Sequence, residues 1–263
     1  MAEYSVFTKP WQTYSIEQLI ETVLDMGFNA VELPVRDEAQ VSPATAEKML
    51  PQVQKQLLSA GIRIDDVASA PEERVFAACA DCGVGMIRVM FIPPYSENYL
   101  EQEAEYLREM EKWIPLCEKY GVKVAIQLHQ GRGATSSADL IRIAGHFDPK
   151  HIGVIWDAAH SGLANENTEQ ALDLLWSHLA LVNFKNGRMQ MYGRGADGAA
   201  QFRSYMCAGP DGQTSWPRAV AHLKRKGYAG TWCMPAEYTG LTHEEEAAYA
   251  KRDLIWLKSL VEG

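Results

Sequence analysis

The stretch "YLREMEKWIPLCEKYGVKVAIQLH", residues 106–129, contains the unit from which the whole chain is built. Its first part predicts an amphipathic helix, Gly121 is placed to end that helix, and "VKVAIQL" then predicts a buried strand. The same succession of helix, glycine and strand returns four times, at residues 16–35, 49–68, 73–91 and 216–237. The chain therefore alternates helices and strands along most of its length.

Three further β-rich runs complete the pattern: "YSVFTKPW" at residues 4–11, "HIGVIWDAAH" at 151–160 and "LALVNFKN" at 179–186. Eight such units in 263 residues predict an α/β fold, a single (β/α)8 TIM barrel that forms one domain over residues 1–263. A doubly wound open sheet is the alternative, but no G-x-G-x-x-G follows the first strand, so we expect no nucleotide cofactor. Residues 187–214 are expected to form a long irregular loop after the seventh strand.

Composition excludes several classes of function. The net charge of -9 argues against a nucleic-acid partner, which normally requires clustered Lys and Arg. No apolar run approaches the roughly 18 residues of a membrane span, and the first residues lack the pattern of a signal peptide. The five cysteines form no even framework, so reduced thiols are expected. We therefore expect a cytoplasmic protein without membrane contact.

Polar side chains stand at the end of every predicted strand, which is where the active site of a (β/α)8 barrel lies. In strand order they are Lys9; Glu32 and Arg36; Asp65 and Asp66; Arg88; Gln127 and His129; Asp157 and His160; Asn183 and Lys185; and Glu237. Acids, imidazoles and a lysine can move protons next to a carbonyl group, and Trp11 could offer an apolar face to a sugar ring. The alternatives are salt bridges that close the barrel top and, for Trp11, a place in the core.

Several short motifs resemble the xylose isomerase-like barrel superfamily, which includes sugar-phosphate isomerases and epimerases and is related to endonuclease IV. They are "GFNAVEL" on strand two, "IGVIWDAAHSG" on strand six and the Lys185–Asn186 pair after strand seven. One branch of that group is similar also in "FTKPW", "PVR", "GPDGQTSW" and "AEY". The resemblance implies a small sugar as substrate and allows a homodimer. The zinc cluster of endonuclease IV is not expected, because only His129 and His160 among the seven histidines stand at strand ends.

The resemblance also implies a divalent metal, Mn²⁺ or Mg²⁺, held by Glu, Asp, His and Glu on strands five to eight. Asp157 and Glu237 match two of these positions, although counting from Gly230 places the last ligand on Pro235. Gln127 and Asn183 stand where the family has Glu and His. An amide oxygen can still bind a hard cation, so Asp157, Glu237 and Gln127 are the candidate metal ligands, but the lost charge predicts weak affinity.

Two hypotheses follow. The first is an isomerase or epimerase of a small sugar, keto-sugar or sugar acid that works through an enediolate. Glu237 and His129 would transfer protons, and His160, held by Asp157, would polarise the substrate. Lys185 would stabilise the oxyanion, and the expected substrate-binding residues are Lys9, Trp11, Arg36, Arg88, Gln127 and Asn183. A variant of this hypothesis uses Lys185 as a Schiff base or general base, in lyase or aldolase chemistry. The second hypothesis is a non-catalytic sugar-binding barrel that has lost its metal.

Overall fold

Eight parallel strands form a closed barrel in the computed structural model, which describes residues 2–263. The barrel strands are β1 (Tyr4–Phe7), β2 (Ala30–Pro34), β3 (Arg63–Ala68), β4 (Met86–Val89), β5 (Lys123–Gln127), β6 (Ile152–Asp157), β7 (Leu179–Asn183) and β10 (Trp232–Pro235). Two further strands, β8 (Asn186–Arg194) and β9 (Ala200–Cys207), lie outside the barrel. Each strand pairs with its neighbour in the chain order, and β1 closes the ring by pairing with both β2 and β10. The predicted (β/α)8 TIM barrel is confirmed.

Helices cover the outside of the barrel. They are α1 (Ile16–Met26), α2 (Ala46–Ser59), α3 (Glu73–Cys82), α4 (Tyr99–Tyr120), α5 (Ser137–Ala144), α6 (Ala158–Leu163), α7 (Thr168–Leu175), α8 (Trp216–Lys226) and α9 (His243–Glu262). Left-handed glycines end four of them, as the repeating unit predicts: Gly27, Gly83, Gly121 and Gly227. Among residues 2–263, no helix combines the length and the apolar composition of a membrane span.

The region expected to be an irregular loop after the seventh strand is a β-hairpin. Strands β8 and β9 pair antiparallel from Asn186 opposite Cys207 to Arg194 opposite Ala200. The chain reverses between them at Gly198, which has a φ of 80°. Polar and apolar residues alternate in "RMQMY", residues 188–192, and this period of two is the pattern of a strand. The expectation of a loop was therefore wrong.

The barrel interior has an apolar layer with a polar layer above it. Ala125, Ile155, Leu181 and Cys233 form a separate buried cluster within the ring of strands. Side chains two positions apart on a strand share a face. Gln127, Asp157 and Asn183 lie two positions after Ala125, Ile155 and Leu181, so they also point into the barrel. All three are buried. The barrel thus carries a layer of buried polar side chains at the end where its strands finish.

Candidate active site

Arg88, on β4, joins two buried polar groups that lie on β2 and β5. Its Nε donates a hydrogen bond to Glu32 Oε1, and its Nη1 donates to Gln127 Oε1. Because this oxygen faces Arg88, the Gln127 amide nitrogen points the other way and donates to Asp157 Oδ2 at 2.8 Å. Burial alone would lower the pKa of Arg88, but Glu32 and Asp66 raise it above its ordinary value. Arg88 is therefore a fixed positive charge inside the barrel.

Lys185 lies between two carboxylates from different strands. Its Nζ donates to Glu237 Oε2 at 3.1 Å and lies 3.8 Å from Asp157 Oδ2. The second oxygen of Glu237, Oε1, accepts from Lys9 Nζ at 2.5 Å. Lys185 is buried, whereas the side chain of Lys9 is 47% exposed at the rim. The two ammonium groups and two carboxylates thus form a compact cluster at the end of the barrel.

Glu237 and Lys185, the two central members of this cluster, are both ionised at neutral pH. Burial alone would raise the pKa of Glu237, but Lys185 and Lys9 hold it well below its ordinary value. Burial would likewise lower the pKa of Lys185, but Asp157 and Glu237 raise it above its ordinary value. Lys185 is consequently an ammonium ion. A Schiff-base or general-base lysine requires a neutral amine, so the geometry argues against the lyase or aldolase variant.

His129 and His160 are neutral imidazoles that lie against each other, with ring centroids 4.3 Å apart. His129 Nδ1 lies 2.7 Å from the carbonyl oxygen of Gln130. A carbonyl only accepts, so this nitrogen carries the proton and Nε2 has a free lone pair. Burial is the main cause that lowers the pKa of His129, and burial lowers the pKa of His160 far more strongly.

Asp157 holds His160 in a different way from the one predicted. Asp157 Oδ1 accepts from the backbone N–H of His160 at 3.2 Å, as the N-cap of α6. Within residues 2–263, neither ring nitrogen of His160 has a hydrogen-bond partner, and the same is true of the side-chain amide of Asn183. The contact of Asp157 with His160 is thus made at the backbone N–H and not at the imidazole, because the Asp157 carboxylate caps the helix. The ring nitrogens of His160 and the amide of Asn183 are left for a ligand.

Three adjoining cavities occupy the mouth of the barrel. The main cavity has a volume of about 610 Å³ and is lined by residues including Lys9, His129, His160, Lys185 and Glu237. A second cavity of about 440 Å³ is lined in part by Arg36 and Arg88. A narrow cavity of about 60 Å³ shares lining residues with both and is lined also by Gln127 and Asn183. A single elongated ligand can therefore contact most of the predicted site residues.

Trp11 is the exception among the predicted substrate-binding residues. Its side chain is fully buried, and its indole Nε1 donates to the carbonyl oxygen of His243 at 3.2 Å. The 3₁₀ turn Lys9–Trp11 turns the ring inward, where it packs with the core. Trp11 is therefore a core residue and lines none of the three cavities.

Several lining residues were not predicted because they come from outside the strand ends. Met206 belongs to the hairpin, Tyr106 to α4 and Glu246 to α9. Phe7 is a strand residue whose ring lies 4.3 Å from the guanidinium carbon of Arg88. Only Phe7, two residues before Lys9 on the inward face of strand one, had a signal in the sequence.

The donor groups at the end of the barrel do not fit a divalent metal. The only oxygen that the Gln127 side chain could offer accepts from Arg88, and its amide N–H is turned toward Asp157. The ammonium of Lys185 stands between Asp157 and Glu237, the two carboxylates expected to bind the ion. No group of three or more His, Cys, Asp or Glu side chains suited to a metal occurs within residues 2–263. Asp157, Glu237 and Gln127 therefore form part of a hydrogen-bonded charge cluster rather than an open ligand set.

The sequence matches one protein-family model along most of its length. The model is described as xylose isomerase-like TIM barrel, and the match covers residues 20–260. An inosose dehydratase from Lactiplantibacillus plantarum is 26% identical over 84 residues. That match spans 32% of this chain and only 28% of the relative.

Solved structures with the same fold align over nearly the whole chain. A D-psicose 3-epimerase crystallised in the presence of D-fructose has a TM-score of 0.73 at 12% identity, and the match covers 99% of this chain and 100% of that one. A 3-keto-D-glucoside 4-epimerase from E. coli has a TM-score of 0.71 at 16% identity and covers 98% and 100%, respectively. At such identities these likenesses establish the fold alone.

Proposed function

This chain belongs to the xylose isomerase-like TIM barrel family, and from that premise we propose that it is an isomerase or epimerase of a small keto-sugar or sugar acid. The reaction we propose is the removal of a proton from the carbon next to a carbonyl group, followed by its return on another face or at the neighbouring carbon. Sugar epimerases and a dehydratase among the similar proteins support this class of chemistry.

The observation that carries the proposal is the ammonium of Lys185 held between Asp157 and Glu237, 3.1 Å from Glu237 and 3.8 Å from Asp157, in the wall of a cavity that also contains neutral His129. An ammonium has three N–H donors, and Lys185 uses one of them in a hydrogen bond to Glu237. The remaining donors are available to the carbonyl oxygen of a substrate. A fixed positive charge in a water-poor site stabilises a developing oxyanion strongly.

In the proposed mechanism, His129 Nε2 takes the proton. The C–H bond breaks, its electron pair forms a C=C bond, and the carbonyl π pair moves to oxygen as an enediolate. His129 becomes an imidazolium, while Lys185 and Lys9 hydrogen-bond the anionic oxygen. His160 and Asn183, whose polar atoms lack partners within residues 2–263, bind the hydroxyl groups of the substrate. Return of the proton from His129 to the former carbonyl carbon, while the hydroxyl proton on the other carbon passes to the anionic oxygen, completes an isomerisation. In an epimerisation, solvent delivers a proton to the opposite face of the carbon that lost it, and the His129 imidazolium releases its proton to solvent.

Glu237 has a different role in this mechanism from the proton transfer that the sequence suggests. Its two oxygens accept from Lys185 and Lys9, and these lysines keep its pKa well below the ordinary value although burial acts in the opposite direction. Such a carboxylate is a weak base. We propose that Glu237 positions the two ammonium groups and that the mechanism uses their charge where relatives of the family use a metal.

Dehydration is the second candidate function, and the local match to an inosose dehydratase favours it. The same enediolate can instead break the C–O bond of a hydroxyl group on the adjacent carbon, and this group leaves as water with the proton that His129 took in the first step. Both reactions share the first step and the same residues. They differ in the product, which has lost a water molecule only in the second case.

Solvent-proton exchange tests the proposal. The protein is incubated with neutral keto-sugars and keto-sugar acids in D₂O, and deuterium at the carbon next to the carbonyl is followed by NMR. We expect incorporation with the wild-type protein, a loss of about 10²–10⁴ in rate for His129→Gln, and a loss of about 10²–10³ for Lys185→Met.

His146→Gln is the matched control, because His146 is exposed on the outside of the barrel. Its exchange rate should equal that of the wild type. Binding of these compounds without any exchange would contradict the proposal and favour the non-catalytic sugar-binding barrel.

A further inference from the structure

The second cavity lies beside the proposed reaction centre and has its own set of polar groups. It opens beyond the ends of β2, β3 and β4 and has a volume of about 440 Å³. The narrow cavity of about 60 Å³ shares Arg36, Arg88 and Met90 with it, and shares Lys9, His129, Lys185 and Glu237 with the main cavity. No lining residue is common to the main and second cavities. A substrate that fills the main and the second cavity must therefore pass through the narrow cavity, which is lined by Lys185.

Three residues that line the second cavity each have a buried hydrogen-bonding atom without a partner within residues 2–263. The atoms are Arg36 Nε, Ser69 Oγ and Tyr106 Oη, and each is buried from solvent. A buried polar group without a partner costs about 1–3 kcal/mol. Three such groups around one cavity are accounted for when a ligand supplies the missing hydrogen bonds.

Arg36 is moreover a cation without a counter-ion. Arg88 has its charge balanced by Glu32, and Lys9 and Lys185 have theirs balanced by Glu237 and Asp157. The described part of the chain provides no carboxylate within ion-pair distance of Arg36, and no acidic side chain lines the second cavity. The centroid of the Phe7 ring lies 5.8 Å from the guanidinium carbon of Arg36. A half-buried guanidinium with no acid beside it is suited to an anionic ligand.

The shape of the donors favours a carboxylate. The planar guanidinium presents parallel N–H groups that match the two oxygens of a carboxylate, and the hydroxyls of Ser69 and Tyr106 can complete its hydrogen bonds. Arg88, the other cation of this cavity, already donates to Glu32 and Gln127. One uncommitted cation balances one negative charge, whereas a phosphate dianion needs more. The remaining wall is largely apolar and includes Val89, Met90, Ile92 and Trp113.

We propose that the second cavity is a carboxylate subsite centred on Arg36, and that the substrate is a keto-sugar acid whose carboxylate binds there while its carbonyl group lies at Lys185. This inference rests on the proposed function, because that function places the carbonyl at Lys185. Arg36 is the specificity-determining residue in this arrangement, and Ser69 and Tyr106 support it.

Calorimetric titration tests the subsite without any need for turnover. The probes are 5-keto-D-gluconate, which carries a carboxylate, D-fructose, which is neutral, and D-fructose 6-phosphate, which carries a phosphate. We expect the wild-type protein to bind the keto acid at least tenfold more tightly than fructose. Arg36→Met should weaken binding of the keto acid by about ten- to a hundredfold and leave binding of fructose unchanged.

Tyr106→Phe removes a single hydroxyl group and keeps the packing of the ring, so it provides a second variant in case Arg36→Met does not fold. It should weaken the keto acid several-fold and have no effect on fructose. Arg63→Met is the matched control, because Arg63 begins β3 at the opposite end of the barrel and pairs with Glu3 and Asp65. It should change neither affinity.

The outcomes separate this inference from the proposed function. Equal affinity for the keto acid and fructose, or equal weakening of both by Arg36→Met, would overturn the subsite, and tighter binding of the phosphate would overturn its assignment to a carboxylate. Tight, Arg36-dependent binding of the keto acid without deuterium exchange would support the subsite and contradict the proposed function. Deuterium exchange into the keto acid, with a rate and an affinity that Arg36→Met leaves unchanged, would support the proposed function and contradict the subsite.

Discussion

His129 and Lys185 have opposite protonation requirements in the proposed reaction. His129 must be neutral to take a proton, and Lys185 must be charged to stabilise the oxyanion. Burial lowers the pKa of His129, and the two neighbouring carboxylates overcome burial to raise the pKa of Lys185. Both shifts extend the pH range in which the base is neutral and the ammonium is charged.

The dependence of kcat/KM on pH should show this range. The acid limb reports protonation of His129, and because the pKa of His129 is below its ordinary value of 6.5, we expect the midpoint of this limb below pH 6.5. Activity should then stay constant through neutral pH, since the pKa of Lys185 is raised above 10.5. Steady-state rates across this range are the measurement. A midpoint above 6.5 would contradict the assignment of His129 as the base.

At the residue scale, the sequence predicts which side chains meet but not what each one contacts. Strand alternation is enough to place Gln127, Asp157 and Asn183 at the barrel end. The contact of Asp157 with the backbone of His160 depends on where α6 begins. The burial of Trp11 depends on the direction of a 3₁₀ turn. Neither detail has a signal in residue spacing.

At the scale of elements, the side chain of Asn186 holds the first residue of the hairpin to the segment that follows the hairpin, between β9 and α8. Its side-chain nitrogen donates to the carbonyl oxygens of Gly209 and Thr214 at 2.7 and 2.8 Å. Its side-chain oxygen accepts from the backbone N–H groups of Gly187 and Thr214 at 3.0 and 3.2 Å. The residue before it is Lys185, so these four hydrogen bonds also fix the backbone that carries the ammonium group.

Asn186→Ala should therefore destabilise the folded protein more than the removal of a side-chain amide usually does. The substitution leaves buried backbone groups unpaired, and we expect a decrease of about 2–4 kcal/mol in the free energy of unfolding. Urea denaturation measures it. Asn98→Ala is the comparison, because Asn98 caps the exposed start of α4 and should cost only about 1 kcal/mol. Equal losses for the two variants would show that Asn186 does not hold the hairpin.

The hairpin is the element that the sequence pattern does not predict. The repeating unit of helix, glycine and strand accounts for five barrel strands and three further β-rich runs for the others, whereas residues 187–214 follow neither pattern. Their alternating pattern in "RMQMY" indicates a strand, but no helix accompanies it and the strand pairs only with its own hairpin partner. A pattern of alternating helices and parallel strands therefore does not predict an antiparallel hairpin inserted between two of its units.

At the scale of the whole molecule, the barrel brings seven side chains from distant parts of the chain into one line of contacts. In order they are Glu32, Arg88, Gln127, Asp157, Lys185, Glu237 and Lys9. Three carboxylates, three cations and one amide make this line neutral overall. The fold and the location of this site follow from the sequence, whereas the alternation of charges requires atomic positions that spacing does not supply.

This arrangement gives a physical reason for the amide at Gln127. The metal site that the family resemblance implies would have three carboxylates and an imidazole around one ion. Here a carboxylate at position 127 would add a negative charge beside Asp157. The neighbouring cations are already paired, Arg88 with Glu32 and Lys185 with Asp157 and Glu237. The neutral amide of Gln127 instead accepts a hydrogen bond from Arg88 and donates one to Asp157, and it adds no charge to the cluster. The central claim is thus that protein ammonium groups carry the electrophilic role.

Metal removal tests this claim most directly. The protein is treated with EDTA, its metal content is verified by mass spectrometry, and deuterium exchange into a keto-sugar acid is measured with and without added Mn²⁺ or Mg²⁺. We expect the rate of the metal-free protein to equal that of the untreated protein and to be unaffected by either ion. Loss of exchange after chelation, with recovery on addition of Mn²⁺ or Mg²⁺, would contradict the claim.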